Sequence, residues 1–184
     1  MDKSKIQSII KELLISLGEN PDRQELKKTP ARVAEMYEKI LFGMNKNADA
    51  ILQTTHDLKH DEMVLIKDVP FYSICEHHLT PFFGRCHVGY IPKNNKIVGI
   101  GRIAELIDIM SKRLQVQERL TTEIANIIMK NLKPKGVGVV IEARHLCLEM
   151  MGSTIPESKI VTSAVRGLFR NDIKTREEFL KLIK

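Results

Sequence analysis

The sequence predicts an α+β protein in which an antiparallel sheet packs against helices. Apolar residues recur at helical spacing at both ends of the chain and in two central segments. Short β-prone runs lie on either side of these two central segments. Because the strands come in groups and do not alternate one by one with helices, a doubly wound parallel sheet is not expected. We therefore expect an antiparallel four-stranded sheet with helices on one face, preceded by an N-terminal helical extension.

The N-terminal region, residues 1–60, is predicted to be helical. Apolar residues recur there every three or four positions up to Gly18, which is typical of a helix end. Thr29-Pro30 indicates the N-cap and the first position of a second helix. The polar stretch that follows this helix is expected to lead into a single catalytic domain, residues 61–184.

The second region shows strand and helix patterns of ordinary length. Asn94-Asn95 is a turn signal, so the segment after it is expected to return as the hairpin partner of the strand before it. Thr175 and Glu178 form a capping-box pattern that predicts the start of the last helix. The predicted strands are 63–69, 85–91, 96–100, 137–143 and 159–169, and the predicted helices are 103–114, 116–131 and 175–184.

Composition narrows the class of protein. Three cysteines without regular spacing argue against a secreted disulfide scaffold and favour a reducing, cytoplasmic location. No run of about 18 apolar residues occurs, so no membrane association is expected. The net charge of +6 comes from scattered basic residues, and no basic stripe interleaved with aromatics is present. A nucleic-acid partner is therefore not expected.

Cys75 and His78 are followed about seventy residues later by His145 and Cys147. A Cys-x2-His spacing lets one turn place a thiolate and an imidazole on the same cation, and such donors suit zinc. His145 and Cys147 are two apart, so on an extended strand they share a face. Ligation by Cys75, His78 and Cys147 leaves an open position, as in catalytic zinc sites, whereas His145 as a fourth ligand gives a closed structural site. Four other residues of these types lack a partner at ligand spacing and are expected in packing or surface roles: Cys86, His56, His60 and His87.

Five segments of the chain form a recognisable series: Thr29–Ala34, Cys75–Phe82, Gln115–Thr121, Ala143–Cys147 and Val161–Ala164. In this order they resemble GTP cyclohydrolase I, and the resemblance extends over nearly the whole chain. It implies the tunnelling fold, in which the sheets of neighbouring subunits join into a ring-shaped barrel. It also implies a homodecamer of two stacked rings with active sites at subunit interfaces.

The resemblance implies a reaction and a set of site residues. The family opens the imidazole ring of GTP by attack of water at C8, releases formate and forms 7,8-dihydroneopterin triphosphate. This is the first step of folate and pterin biosynthesis, and histidine suits its acid–base steps because its pKa lies near the working pH. The matching residues are the zinc ligands Cys75, His78 and Cys147, the acid–base histidines His77 and His145, and the guanine-binding pair Gln117 and Glu118.

The chain departs from the family where the triphosphate binds. Gly101 and Glu105 stand where the family usually has a Ser and a phosphate-binding Arg, and Met151 replaces another such Arg. Arg102 keeps the charge of the family's Lys, and Arg32 matches its N-terminal phosphate contact. Each lost charge-assisted hydrogen bond costs roughly 1.5–3 kcal/mol, so these replacements predict weaker binding of a triphosphate.

Three functions are compatible with these residues. The first is a GTP cyclohydrolase I with a rearranged phosphate pocket. The second is a zinc hydrolase of the same fold that acts on a guanine nucleotide or nucleoside with fewer phosphates, or that stops at the formamide stage. The third is a binding or regulatory member of the fold without catalytic activity, against which the intact set of zinc ligands argues.

Overall fold

The computed structural model describes residues 1–52, 54–55, 59–152 and 158–184. By their internal contacts, these residues divide into two compact units, Met1–Phe42 and Gly43–Lys184. The predicted boundary between residues 60 and 61 stays a prediction. His56, which the sequence assigns to a packing or surface role, lies outside the described residues.

The order of elements confirms an α+β class, with helices at both ends and a helix pair between groups of strands. No helix in the described part of the chain is long and apolar enough to cross a membrane. The first unit holds α1 (Lys3–Ser16) and α2 (Thr29–Ile40), which pack against each other. The second unit begins with short 3-10 turns near Phe42–Asn45 and at Ala48–Ala50 and contains β1 (Thr54–Thr55), β2 (Val64–Cys75), β3 (Pro81–Ile91), β4 (Ile97–Val98), α3 (Ile100–Ser111), β5 (Leu114–Gln115), α4 (Gln117–Leu132), β6 (Gly136–His145), α5 (Leu146–Glu149), β7 (Ile160–Gly167), α6 (Leu168–Asn171) and α7 (Ile173–Ile183).

Two helices begin earlier than their capping patterns predict. Thr29 is already inside α2, and Lys28 precedes it without a side-chain cap. The last helix is capped by Asp172, whose carboxylate accepts a hydrogen bond from the Thr175 N–H at 2.9 Å. Asp is among the strongest N-cap residues, so it takes the cap position three residues before the predicted Thr175.

The main sheet has five strands in the order β5-β2-β3-β6-β7. The pairs β2–β3, β3–β6 and β6–β7 are antiparallel, whereas β5 pairs with the end of β2 in parallel. The prediction of a purely antiparallel four-stranded sheet is therefore incomplete, because a short parallel edge strand makes the sheet mixed. A strand of two residues between α3 and α4 has too little pattern to be recognised from sequence.

The segment after Asn94-Asn95 does not pair with β3 as predicted. β4 pairs instead with β1, in a separate two-stranded sheet. A side chain links it to β3, because the Val98 N–H donates a hydrogen bond to the Tyr90 hydroxyl at 3.3 Å. A turn does form at Asn94-Asn95, but β4, which follows it, pairs with a strand that lies more than forty residues earlier in the sequence.

Helices cover both faces of the sheet, so the prediction of helices on one face is wrong. α4 packs against β6 and β7, and α3 packs against β2. On the opposite face, Val140 of β6 packs in a cluster with Phe169 and Phe179 of α6 and α7. Val139 and Ile141 alternate with Val140 and are also fully buried, as expected of a strand covered on both sides.

Gly84 allows β3 and β6 to approach closely, which leads to a stability prediction. A Cβ at Gly84 would lie 1.8 Å from the Glu142 carbonyl oxygen and 2.7 Å from the Ala143 Cα, both backbone atoms. Gly84→Ala is therefore expected to destabilise the fold by about 3 kcal/mol, the upper part of the overpacking range. Thermal unfolding should show a melting temperature lower by roughly 6–12 °C.

Gly101→Ala is the matched control for this measurement. A Cβ at Gly101 meets no atom of the described residues within 4 Å, and alanine favours a helix over glycine by up to about 1 kcal/mol. Its melting temperature should be unchanged or slightly higher. Equal melting temperatures for Gly84→Ala and Gly101→Ala would contradict the close strand contact.

Candidate metal and catalytic site

The sheet brings the two motif segments of the chain together. β3 pairs with β6 so that Phe82 lies opposite His145, and Cys75 ends β2 on the other side of β3. The short strand β5 places Gln115 beside Cys75, and α4 begins two residues later at Gln117. Residues that are distant in sequence therefore converge at one end of the sheet.

A closed turn shapes the Cys-x2-His segment. The Cys75 N–H donates to the Thr80 carbonyl at 2.9 Å, and the Leu79 N–H donates to the Cys75 carbonyl at 2.8 Å. Leu79 has a φ of 54°, in the left-handed region that a leucine adopts only where its surroundings hold it there. The turn thus holds Cys75 and His78 within a short reach of each other.

The ligand atoms of Cys75, His78 and Cys147 all lie within 4.8 Å of one another. Two thiolates on one tetrahedral zinc are about 3.8 Å apart, so a small contraction suffices to bind a cation. Both cysteines are buried, and burial together with the adjacent Cys75 raises the pKa of the Cys147 thiol. The Thr80 hydroxyl is buried beside Cys147 and partly opposes this rise in the pKa. These residues fit a metal ion, which would supply the charge that two adjacent thiolates require.

Cys147 reaches this cluster from a short helix. β6 ends at His145 and α5 follows at once, so the prediction that both residues share one face of an extended strand is wrong. Arg144 and Glu149 close this helical turn with two hydrogen bonds of 2.9 and 2.6 Å. As a consequence, Cys147 belongs to the metal-binding group that the described residues form, and His145 does not.

The His145 imidazole is held on one face and at one nitrogen. The Phe82 ring stacks on it with 4.8 Å between ring centroids and an angle of 7°. His145 Nε2 lies 2.8 Å from the Gln117 side-chain oxygen. Burial lowers the pKa of His145, and the Glu118 carboxylate partly opposes this shift. The imidazole is therefore half-buried and fixed in orientation, and its burial favours the neutral form.

His77 and Glu118 are both exposed to solvent. The His77 ring lies nearly perpendicular to that of His78, with 6.3 Å between the ring centroids. Glu118 lies in the first turn of α4, where a carboxylate is favoured by the helix dipole. Both side chains are thus available to a molecule bound beside the metal-binding group.

Sequence patterns did not identify an ion pair that supports the metal-binding turn. The Arg119 guanidinium contacts both carboxylate oxygens of Glu76, which lies next to Cys75. The Arg119 Nε–H also donates to the Gln115 side-chain oxygen at 2.9 Å, and Gln115 donates to Glu123. Both Glu76 and Arg119 lie inside segments that resemble the family, and that position is the signal that could have identified them.

The predicted phosphate-binding residues lie on separate elements of the chain, and the arginine on α3 already has a partner. Arg102 donates to the Glu105 carboxylate at 2.8 Å, so its charge is already paired within α3. Met151 is 66% exposed beyond α5. Arg32 belongs to α2 in the first compact unit. The ion pair between Arg102 and Glu105 lowers the positive charge expected at this helix.

A single class of protein accounts for these features: an α+β protein with a three-residue site for a metal ion beside a half-buried histidine. The model of the family described as GTP cyclohydrolase I matches residues 6–184. A GTP cyclohydrolase 1 of Pelotomaculum thermopropionicum is 51% identical over 183 residues, covering 100% of this chain and 97% of that protein. A GTP cyclohydrolase 1 of Clostridioides difficile is 50% identical over 184 residues, with the same coverage of both chains.

The chain therefore belongs to the GTP cyclohydrolase I family, and the predicted hydrolase of that type is confirmed. Among solved structures, the apo form of an archaeosine synthase QueF-Like resembles this chain with a TM-score of 0.48 and 18% identity. That similarity covers 57% of this chain and 93% of the other.

Proposed function

We propose that this protein opens the imidazole ring of GTP through attack of water at C8, releases formate and forms 7,8-dihydroneopterin triphosphate. The observation that supports this function most directly is the convergence of Cys75, His78 and Cys147 beside His145, in a chain of this family. The product places the protein at the first step of folate and pterin biosynthesis. A cytoplasmic location agrees with its three free thiols.

Zinc is the metal that this donor set suits best, because two thiolates and one imidazole are soft and borderline ligands. When bound, it would act as a Lewis acid that makes water nucleophilic near neutral pH. The three residues leave its remaining position free for the reaction. His145 is held outside the ligand group, so we propose an open site and not the closed four-ligand site.

The residues around the metal are proposed to transfer protons and to bind the substrate. His77 and His145 are proposed to move protons to and from the purine ring, since a neutral imidazole can both accept and donate. The Glu118 carboxylate, exposed in the first turn of α4, is proposed to accept hydrogen bonds from the guanine N1 and exocyclic amine. Arg102 and Arg32 are proposed to contact the phosphates.

A second candidate function is ring opening of a guanine nucleotide or nucleoside with fewer phosphates. The ion pair between Arg102 and Glu105 favours it, because a paired guanidinium attracts a triphosphate less strongly. The metal site, His145 and Glu118 serve both functions equally. Incubating the zinc-loaded protein with GTP, GMP and guanosine, and measuring formate and pterin fluorescence, separates the two functions by the substrate with the highest kcat/KM.

Assembly into a ring of subunits is also part of the proposal. β7 pairs with β6 on one side, and within the described residues no strand pairs with its other edge. An open edge with exposed Val161 is a surface that pairs readily with a strand of another copy. We expect light scattering to give a mass about ten times that of the 21.0 kDa chain, and a monomer would contradict composite sites between subunits.

A further inference from the structure

We infer that Gln117 is a positioning residue that holds His145 with a proton on Nε2 and leaves Nδ1 as its reactive nitrogen. Gln117 is 1% exposed, and its side-chain oxygen lies 2.8 Å from His145 Nε2. Its amide nitrogen lies within 3.1 Å of three other oxygens. The sequence assigned Gln117 to guanine binding, and we infer a role towards His145 in its place, because each polar atom of this buried side chain already has a partner inside the protein.

The orientation of the Gln117 amide follows from its neighbours. Its nitrogen faces the carbonyl oxygens of Ile141 at 3.0 Å and Ile160 at 2.9 Å. Carbonyl oxygens only accept hydrogen bonds, so the NH2 group must face them and the side-chain oxygen must face His145. Rotating the amide by 180° would place an oxygen against two carbonyls and leave buried acceptors unsatisfied.

A chain of hydroxyl groups reinforces this orientation. The Thr121 hydroxyl donates to the Gln117 backbone carbonyl at 2.7 Å, because a carbonyl cannot donate. The Thr162 hydroxyl lies 2.6 Å from that of Thr121 and therefore donates to it. The Thr162 hydroxyl oxygen in turn accepts a hydrogen bond from the Gln117 NH2 group at 3.1 Å. Each hydrogen bond between these groups therefore has only one possible donor.

The consequence for His145 is a defined distribution of protons. The Gln117 side-chain oxygen can only accept, so Nε2 must be the nitrogen that carries the hydrogen. In the neutral imidazole Nδ1 then has a free lone pair and can accept a proton from, or return one to, a bound purine. The stacked Phe82 ring limits tilting of the imidazole, so Nδ1 keeps one direction.

This inference rests on the proposed function, because it gives Nδ1 of His145 a role in the ring-opening reaction. A tautomer that is wrong at a general acid–base histidine lowers kcat while leaving substrate binding intact. We therefore expect Gln117→Met, which keeps the side-chain volume but removes the amide, to lower kcat about 10- to 100-fold. The KM for GTP and the zinc content should not change.

Nitrogen NMR of the zinc-loaded, 15N-histidine-labelled protein tests the inference directly. The His145 signals are assigned by their loss in His145→Gln. Wild-type protein should show a protonated Nε2 and an unprotonated Nδ1, and Gln117→Met should show a mixture of tautomers. Gln117→Glu keeps an acceptor for Nε2 but loses the NH2 group, so Nε2 should stay protonated even though strand contacts are lost.

Ser111→Ala is the matched control for loss of a buried hydrogen bond, because the Ser111 hydroxyl donates within α3 to the Asp108 carbonyl. It should keep the kcat and the His145 signals of the wild type. A wild-type His145 protonated at Nδ1 alone, or a Gln117→Met protein with unchanged tautomer and kcat, would overturn the inference. If wild-type protein releases no formate from GTP, the proposed function fails, but the His145 signals still decide the role of Gln117.

Discussion

Cys75→Ala is expected to abolish metal binding and ring opening together. Cys75 supplies one of three ligand atoms that lie within 4.8 Å of one another, and two remaining ligands hold zinc too weakly for a catalytic site. Loss of a Lewis acid worth several kcal/mol lowers the rate by at least about 1000-fold, since each 1.36 kcal/mol is a factor of ten. Metal content by mass spectrometry and formate release from GTP measure the two effects.

Cys86→Ala is the matched control, because Cys86 is also a buried free cysteine. It lies in the interior of β3 and is not part of the group whose ligand atoms come together, and burial raises the pKa of its thiol. The variant should keep the zinc content and activity while losing some stability through the small cavity that it creates. Loss of zinc from Cys86→Ala, or its retention in Cys75→Ala, would contradict the proposed ligand set.

The double variant Glu105→Arg with Met151→Arg is expected to lower the KM for GTP about 10- to 100-fold. Each restored charge-assisted hydrogen bond to a phosphate is worth roughly 1.5–3 kcal/mol, and solvent exposure of both positions reduces the gain. Removing Glu105 also releases Arg102 from its ion pair. Because both changes act on the same phosphates, their effects need not add.

The KM for guanosine shows whether the two substitutions act only on phosphate binding or on the whole site. The new guanidiniums contact only phosphates, so the KM for guanosine should stay at the wild-type value. Glu178→Arg makes the same change in charge as Glu105→Arg, but on α7, and it should leave both KM values unchanged. A wild-type KM for GTP that is already as low as that of the double variant would show that other basic residues carry the triphosphate.

The sequence predicted what depends on local pattern. The long helices and the four long strands follow from hydrophobic periodicity, and their approximate positions match the structure. The two helix starts were misplaced because several residues near each end can cap a helix, and only the packed structure selects Asp172 over Thr175. The partner of β4 was missed because pairing with β1 depends on contacts between distant segments.

For the site, the sequence by itself singled out Cys75, His78 and Cys147 as candidate ligands, and these are the residues that the structure brings close enough to hold a metal ion. Chemistry and spacing alone left His145 open as a fourth ligand, and the set of three was implied by the resemblance to the family. Only the tertiary structure decided that His145 stands outside the ligands, bound through Nε2 to Gln117 and stacked on Phe82. It also decided that Glu105 pairs with Arg102. These roles depend on which atoms come into contact in the folded protein. The donor and acceptor of each hydrogen bond are fixed by the neighbouring groups, and only the fold brings those groups together.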